Sequence, residues 1–249
     1  MLKMTVALCS TLLVVTPAFA ESAERPAVKP GDTWSYQTTL EQSANQMMQT
    51  PSQWSEKHYE ITVIRSSSTG ILVSRKERGS KLPPLEVMAG SDWSKYKSIN
   101  GEETIINQPL KFPLEQGKSW ELKFLENNPS RDFKSVETRL NYVVAGWEEV
   151  SVPAGLFKAL KIEADGKWKS ERESSTNVST NIRADAGGVT TVMQANKAKP
   201  APSTGRMYRA YWYVPEAKIY VKSIEENFFS DGSLSRRSTE ELESFKLSQ

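Results

Sequence analysis

Two stretches of the chain, residues 136–144 and 156–164, alternate apolar and polar side chains with a period of two. Successive side chains of a β-strand point to opposite faces, so each stretch predicts a strand with one buried face and one wetter face. Further segments rich in β-branched and aromatic residues also predict strands. These segments are 58–65, 70–77, 118–126, 206–214 and 217–229.

Short turn sequences separate most of these segments. Dipeptides that tolerate a positive φ, as tight hairpins require, are Asn100-Gly101, Asp165-Gly166 and Asp231-Gly232. A fourth turn signal covers residues 66–70. We therefore predict an all-β, antiparallel fold of about 10–14 strands with little helix, in a strongly curved sheet that forms a half-open barrel or a sandwich. The best helical segment is 40–48.

The first twenty residues have the pattern of a signal peptide. Lys3 precedes an apolar run over residues 6–15, and Ala18 and Ala20 provide the small residues that signal peptidase reads. We expect cleavage after Ala20 and a location in the periplasm or outside a bacterial cell. The apolar run is shorter than the roughly 20 residues of a transmembrane helix. The mean hydropathy of −0.52 also argues against a polytopic membrane protein.

The remainder, residues 21–249, is long enough for a single β-rich domain. Gly31 to Trp34 and Gly117 to Trp120 share a Gly-x-x-Trp start, which leaves open two β lobes that meet near residue 110. Polar, proline-containing sequence predicts loops at 41–55 and 174–205. For 174–205 we favour a mobile excursion, with a frayed hairpin as one form of it, over a working lid.

Composition excludes several kinds of site. The 32 basic and 30 acidic residues are interleaved, which argues against a nucleic-acid partner. The single cysteine, Cys9, lies in the predicted signal peptide, so the mature chain has no disulfide and no thiolate metal site. His58 is the single histidine, and one imidazole cannot supply a typical zinc site. We predict no metal and no cofactor.

Each sequence motif that suggests catalysis lacks the other residues or the structural context that the chemistry requires. The stretch Gly117-Lys118-Ser119 lacks the earlier glycine of a phosphate-binding loop. Ser94 and Lys97 have the spacing of a catalytic Ser-x-x-Lys motif, but they lie in a predicted strand rather than on a helix. His58 beside Ser55 or Ser66 lacks a nucleophile elbow, so a structural or surface role is favoured. The adjacent carboxylates are Glu102-Glu103, Glu148-Glu149, Glu225-Glu226 and Glu240-Glu241. Neighbours in a strand point to opposite faces, and only cross-strand pairing would make them a glycosidase pair. We predict no catalytic residue.

Aromatic side chains give the strongest indication of a binding site. The chain has seven tryptophans, and Tyr211 and Tyr213 flank Trp212. Aromatic planes on a sheet can stack sugars or line an apolar pocket, although they also fill cores. We favour core filling as the role of these aromatic residues. If they instead contact a ligand, the predicted binding residues are Trp168, Tyr211, Trp212 and Tyr213.

One constellation resembles a known group of proteins. Val152-Pro153-Ala154-Gly155 precedes Phe157, Ala159, Lys161 and Ile162, and Trp212-Tyr213-Val214-Pro215 follows about fifty residues later. This pattern, within residues 146–227, resembles exported bacterial β-proteins of the TapB-like and related uncharacterised kind. The resemblance implies an antiparallel sheet curled into a half-open barrel, comparable with lipoprotein-carrier folds, whose concave apolar face could hold an acyl chain. It implies no catalytic residue.

The expected function is that of a non-enzymatic exported envelope or periplasmic protein. Its ligand would be an apolar molecule or a glycan bound on a concave, aromatic-rich sheet, and its partners a small molecule, a lipid, a glycan or an envelope protein. One alternative is a carbohydrate-active hydrolase with cross-strand carboxylates. Another is a structural partner in an envelope complex.

Overall fold

A single antiparallel sheet of twelve strands dominates the computed structural model, which describes residues 22–44, 51–130, 133–172, 175–185, 188–198 and 202–248. The strands of this sheet are β1 (Thr33–Gln42), β2 (Gln53–Ser66), β3 (Gly70–Glu77), β4 (Leu85–Gly90), β5 (Lys95–Ile99), β6 (Glu102–Asn107), β7 (Ser119–Ser130), β8 (Phe133–Val152), β9 (Gly155–Arg172), β12 (Ser203–Val214), β13 (Ile219–Phe228) and β14 (Leu234–Lys246). A separate hairpin pairs β10 (Ser175–Asp185) with β11 (Gly188–Ala198). Within the described residues, helix is limited to the 3-10 turn Pro215–Ala217.

The sheet curls until its two edge strands approach each other. Its order is β6-β5-β4-β3-β2-β1-β14-β13-β12-β9-β8-β7, so β6 and β7 are the edges. Side chains bridge this seam: Lys97 Nζ lies 2.6 Å from Glu126 Oε1, and Asn100 Nδ2 donates to the Leu125 carbonyl at 3.1 Å. The result is a nearly closed, barrel-like sheet, which confirms the predicted all-β, strongly curved antiparallel fold.

Large aromatic residues fill one end of the interior. Trp34 and Tyr36 of β1 are buried, and each donates a hydrogen bond across the interior, Trp34 Nε1 to the Ala217 carbonyl at 2.7 Å and Tyr36 OH to the Tyr220 carbonyl at 2.6 Å. Trp93 meets Trp34 edge to face, with 5.3 Å between ring centroids. These buried donors are satisfied by backbone acceptors, as burial of polar atoms requires.

The long β8–β9 hairpin covers part of the outer face of the sheet. Its register shifts between Val144 and Gly146, where Gly146 has φ +139°, and its far end then folds back towards β14. At the tip, the Ala154 N–H donates to the Leu242 carbonyl at 2.9 Å. The tip is the Val-Pro-Ala-Gly segment noted above, so this motif forms the turn of a structural hairpin.

The predicted turns at 66–70, 100–101 and 231–232 are confirmed as connections between β2 and β3, β5 and β6, and β13 and β14. The predicted turn at Asp165-Gly166 is wrong, because both residues lie inside β9 and pair with β8 and β12. A Cβ on Gly166 would lie 2.6 Å from Leu140 Cδ2 and closer still to the Arg139 carbonyl. Glycine is needed there for close packing of strands and not for a turn.

The predicted helix at 40–48 is wrong for its described part, since residues 40–42 continue β1 and pair with β2 and β14; residues 45–50 lie outside the described ranges. Cross-strand pairing stabilises this polar end of β1 as a strand, which local propensity alone does not indicate. Residues 53–55 of the predicted 41–55 loop belong to β2. In the 174–205 segment, the described backbone forms the β10–β11 hairpin and the start of β12. The predicted signal peptide and its cleavage site lie outside the described residues.

Candidate functional site

The interior of the sheet changes from apolar to polar along its strands. On β1 the inward positions run from Trp34 and Tyr36 to Thr38. On β14 they run from the buried Leu242 to Glu240, Ser238 and Arg236. Thr38 pairs with Glu240 and Glu240 pairs with Ser223, so polar residues of three adjacent strands lie in one row.

Two cavities lie at this polar end of the interior. Their volumes are about 320 Å³ and 280 Å³, and both are lined by Thr38 and Arg75. The larger has an apolar wall formed by Leu82, Pro83 and Leu85. The smaller is lined almost wholly by polar side chains, with two carboxylates, Glu225 and Glu240, and three cations, Arg75, Lys95 and Arg236. We call the two together the mouth cavity.

Glu225 is held as a carboxylate. Burial would raise its pKa, but the charges of Arg209, Lys95 and Arg236 and a hydrogen bond from Tyr211 outweigh burial, and the net effect lowers the pKa. The Tyr211 hydroxyl donates to Glu225 Oε1 at 3.0 Å. Glu225 is therefore negatively charged at neutral pH, next to a cluster of cations.

A hydrogen-bonded chain beneath Glu225 connects the cavity to the opposite wall. Tyr142 OH donates to Asn107 Oδ1 at 2.9 Å, and Asn107 Nδ2 donates to Tyr211 OH at 3.0 Å. Asn107 is only 4% exposed and belongs to the edge strand β6, whereas Tyr142 belongs to β8 and Tyr211 to β12. This chain fixes the orientation of the Tyr211 hydroxyl that holds Glu225.

Glu240 faces a second tyrosine across the cavity. Burial, together with the charge of Glu240 and its hydrogen bond with Tyr59, raises the pKa of Tyr59, so this hydroxyl stays protonated. The guanidinium carbon of Arg75 lies 3.8 Å from the centroid of the Tyr59 ring. The stacking places Arg75 between the two cavities.

The four predicted binding residues occupy different places. Tyr211 lies inside, in the chain below Glu225. Tyr213 is buried in the aromatic end, with its ring centroid 5.3 Å from that of Phe112. Trp212 lies on the other face of β12, where its Nε1 donates to Glu148 Oε1 at 2.6 Å. Trp168 is partly buried and packs closely over Gly205. None of the four is among the side chains that line the mouth cavity.

Two of the four acidic pairs divide between the two faces of the sheet, as alternation predicts. Glu225 and Glu240 line the cavity, whereas Glu226 pairs with Arg237 at 2.7 Å and Glu241 pairs with Lys222 at 2.6 Å. His58 lies outside the cavity, with Nδ1 2.9 Å from Glu243 Oε1 and Nε2 3.3 Å from Glu56 Oε1. Across the described ranges, no group of three or more His, Cys, Asp or Glu residues could hold a metal ion.

Sequence reasoning missed the cationic part of the cavity. No motif in the sequence gave a role to Arg75, Lys95 or Arg236, which line the smaller cavity. A signal was present in β14, where every second residue from 236 to 240 is polar on the face that also carries Leu242. The signal becomes informative only once the register with β1 and β13 shows that the polar positions of several strands meet.

No protein-family model matches the chain, and no curated protein sequence matches it. The TapB-like resemblance is therefore not confirmed. Among solved structures, the chain is similar to a provisionally described exported protein with a YmcC-like fold from Bacteroides fragilis, with 14% identity, coverage of 90% of this chain and 99% of that chain, and a TM-score of 0.40. It is also similar to a provisionally described lipoprotein from Parabacteroides distasonis, with 11% identity, coverage of 91% and 100%, and a TM-score of 0.44. In the described part of the chain, no helix has the length and apolarity needed to cross a bilayer.

Proposed function

We propose that this chain is a non-enzymatic exported binding protein that holds a small ligand in the mouth cavity. The observation that carries the proposal is the pair of adjoining cavities at the open, polar end of the curved sheet, about 320 Å³ and 280 Å³. Each is close to the lower end of the range for ligand pockets, roughly 300–1,000 Å³. An apolar wall next to a set of convergent polar groups is the composition typical of such pockets.

Export follows from the signal peptide predicted at residues 1–20, with cleavage after Ala20 and delivery to the periplasm or the medium. The mature chain then forms one β-rich domain over residues 21–249. The β10–β11 hairpin extends from the neighbouring strands β9 and β12. Binding partners on this proposal are a small molecule, a lipid or a glycan, while an envelope protein remains the partner on the structural alternative.

One observation favours the alternative of a glycoside hydrolase: Glu225 and Glu240, on the paired strands β13 and β14, line the same cavity. A general acid for glycoside hydrolysis needs a raised pKa. The pKa of Glu225 is instead lowered, chiefly by Arg209 and Lys95 against the effect of burial. The lowered pKa argues against Glu225 as the general acid, whereas binding without catalysis requires no such acid.

Native mass spectrometry of the protein purified from its own periplasm tests this function. We expect a species heavier than the polypeptide, and we expect a Thr38→Phe variant to lose the added mass because Thr38 lines both cavities. Thr39→Phe is the matched control, since it places the same side chain on the other face of β1. Circular dichroism should show that both variants are folded. A bare polypeptide mass, or equal retention by both variants, would contradict the proposal.

A further inference from the structure

We infer that the ligand of the mouth cavity is a hydroxyl-rich molecule that carries an anionic group, a carboxylate or a phosphate. This inference rests on the proposed binding function and names the ligand class. Three cations, Arg75, Lys95 and Arg236, line the smaller cavity together with Glu225 and Glu240. Arg209, outside the cavity lining, acts most strongly among the nearby charges on Glu225.

In the described part of the chain, the three cations make no direct ion pair, although the charges of Lys95 and Arg236 act on Glu225. Within the described residues, no ion pair of 4.0 Å or less involves Arg75, Lys95 or Arg236. Lys57, which lines the larger cavity, is instead paired directly with Glu77 at 3.1 Å. A group of cations without direct ion pairs that converges on one cavity, with a guanidinium suited to bidentate contact, is typical of a site for carboxylate or phosphate.

The remaining polar groups of the cavity suit hydroxyl groups rather than a second charge. Ser223, Asn227 and Ser238 offer neutral donors and acceptors, and Glu240 is a strong acceptor for a hydroxyl hydrogen. The apolar wall of Leu82, Pro83 and Leu85 in the adjoining cavity is available to the C–H face of a sugar-like ring. Acceptors, neutral donors and cations together match an acidic sugar or a sugar phosphate better than a neutral acyl chain.

Isothermal titration calorimetry with three probes tests the inference: trigalacturonic acid, which carries carboxylates, glucose 6-phosphate, and the neutral maltotriose. We expect at least one anionic probe to bind and maltotriose to bind at least tenfold more weakly. Binding of trigalacturonic acid would indicate a carboxylate ligand, and binding of glucose 6-phosphate would indicate a phosphate ligand. Affinity should fall as the NaCl concentration rises, because the screening length shortens from about 10 Å at 0.1 M salt to about 3 Å at 1 M.

Arg75→Gln and Lys76→Gln form a matched pair of variants. They are exposed neighbours on β3, but only Arg75 stacks on Tyr59 and lines the cavities. We expect Arg75→Gln and Arg236→Gln each to lower the affinity for the anionic probe about threefold to tenfold. Lys76→Gln should leave this affinity unchanged. Arg75→Lys should recover part of the affinity by restoring the charge.

The outcomes separate this inference from the proposed function. If maltotriose binds as tightly as the anionic probes and Thr38→Phe blocks it, the cavity binds ligands but the anionic class is wrong. If no probe binds while native mass spectrometry finds an uncharged molecule, the class is again wrong and the binding function stands. If no probe binds and the purified protein has a bare mass, both proposals are wrong.

Discussion

Asp32 joins three distant parts of the chain at the aromatic end of the sheet. Its side chain is completely buried and accepts hydrogen bonds from the Lys29 backbone N–H at 2.9 Å, the Ser248 backbone N–H at 2.7 Å and Lys218 Nζ at 3.0 Å. Lys218 has φ +60° and lies just before β13. Loss of this carboxylate therefore removes contacts to the segment before β1, to the residue before β13 and to the segment after β14 at once.

The expected cost can be estimated from these contacts. Removing one partner of a buried ion pair costs about 3–5 kcal/mol, and a hydrogen bond to a charged group contributes about 1.5–3 kcal/mol. Since the Lys218 side chain is 18% exposed and can be partly rehydrated, we expect Asp32→Ala to lower the free energy of unfolding by about 4 kcal/mol. Asp32→Asn keeps one carbonyl acceptor and should cost about 2 kcal/mol. Urea unfolding at neutral pH measures both.

The pH dependence provides a second test. Burial would raise the pKa of Asp32, but hydrogen bonds from Lys29, Lys218 and Ser248 outweigh it and lower the pKa below its ordinary value of 3.8. The stabilisation is therefore fully present above pH 3.8 and is lost as the pH falls through the lowered value. The difference between wild type and Asp32→Ala should be constant in neutral solution and shrink in acid. A constant difference in acid, or a cost below about 1 kcal/mol at neutral pH, would refute this reasoning.

Three further substitutions test the fold. Asn107→Ala should cost about 2–4 kcal/mol in thermal unfolding, because it leaves the buried Tyr142 hydroxyl without its acceptor; a change below about 0.5 kcal/mol would show that the hydroxyl finds another partner. Gly166→Ala should cost about 1–3 kcal/mol by forcing a methyl group against Leu140, whereas Lys167→Ala, at an exposed position, should stay within about 0.5 kcal/mol. Lys97→Ala should cost about 0–1 kcal/mol in urea unfolding, since its ion pair with Glu126 is partly exposed, and a larger loss would mean that this pair holds the seam closed.

The strands were predictable because their signals are local. Residues 136–144 and 156–164 lie within longer strands, β8 and β9, and the buried positions alternate from Thr138 to Val144 and from Leu160 to Ala164. The turn at Asn100-Gly101 was predictable for the same reason, since both residues have positive φ values, 54° and 87°. Asp165-Gly166 has the same local chemistry as a hairpin turn, but there glycine is required by the approach of β8. Local sequence cannot distinguish these two uses of glycine.

The cavity was not predictable, because it depends on the register of strands that are far apart in sequence. Thr38 and Glu240 are directly paired although about 200 residues separate them. Read alone, Arg75 belongs to a mixed-charge run of the kind that usually covers a solvated face. The aromatic residues do not indicate the cavity, since Trp212 lies on the other face of β12 and Tyr213 belongs to the core.

The polar row across β1, β14 and β13 is costly for a fold of this type. Burying an apolar side chain stabilises a protein by about 1.5–3 kcal/mol, and the same interior face of these strands carries Trp34, Tyr36 and Leu242 only a few residues away. Aliphatic residues at Thr38, Ser223 and Glu240 would extend that core without changing the strand pattern. Instead, polar residues in direct register leave this end of the interior open, with Arg75, Lys95 and Arg236 around it. A sheet that needed only stability would fill this space with apolar side chains, and the open, charged interior is the feature on which the proposed binding function rests.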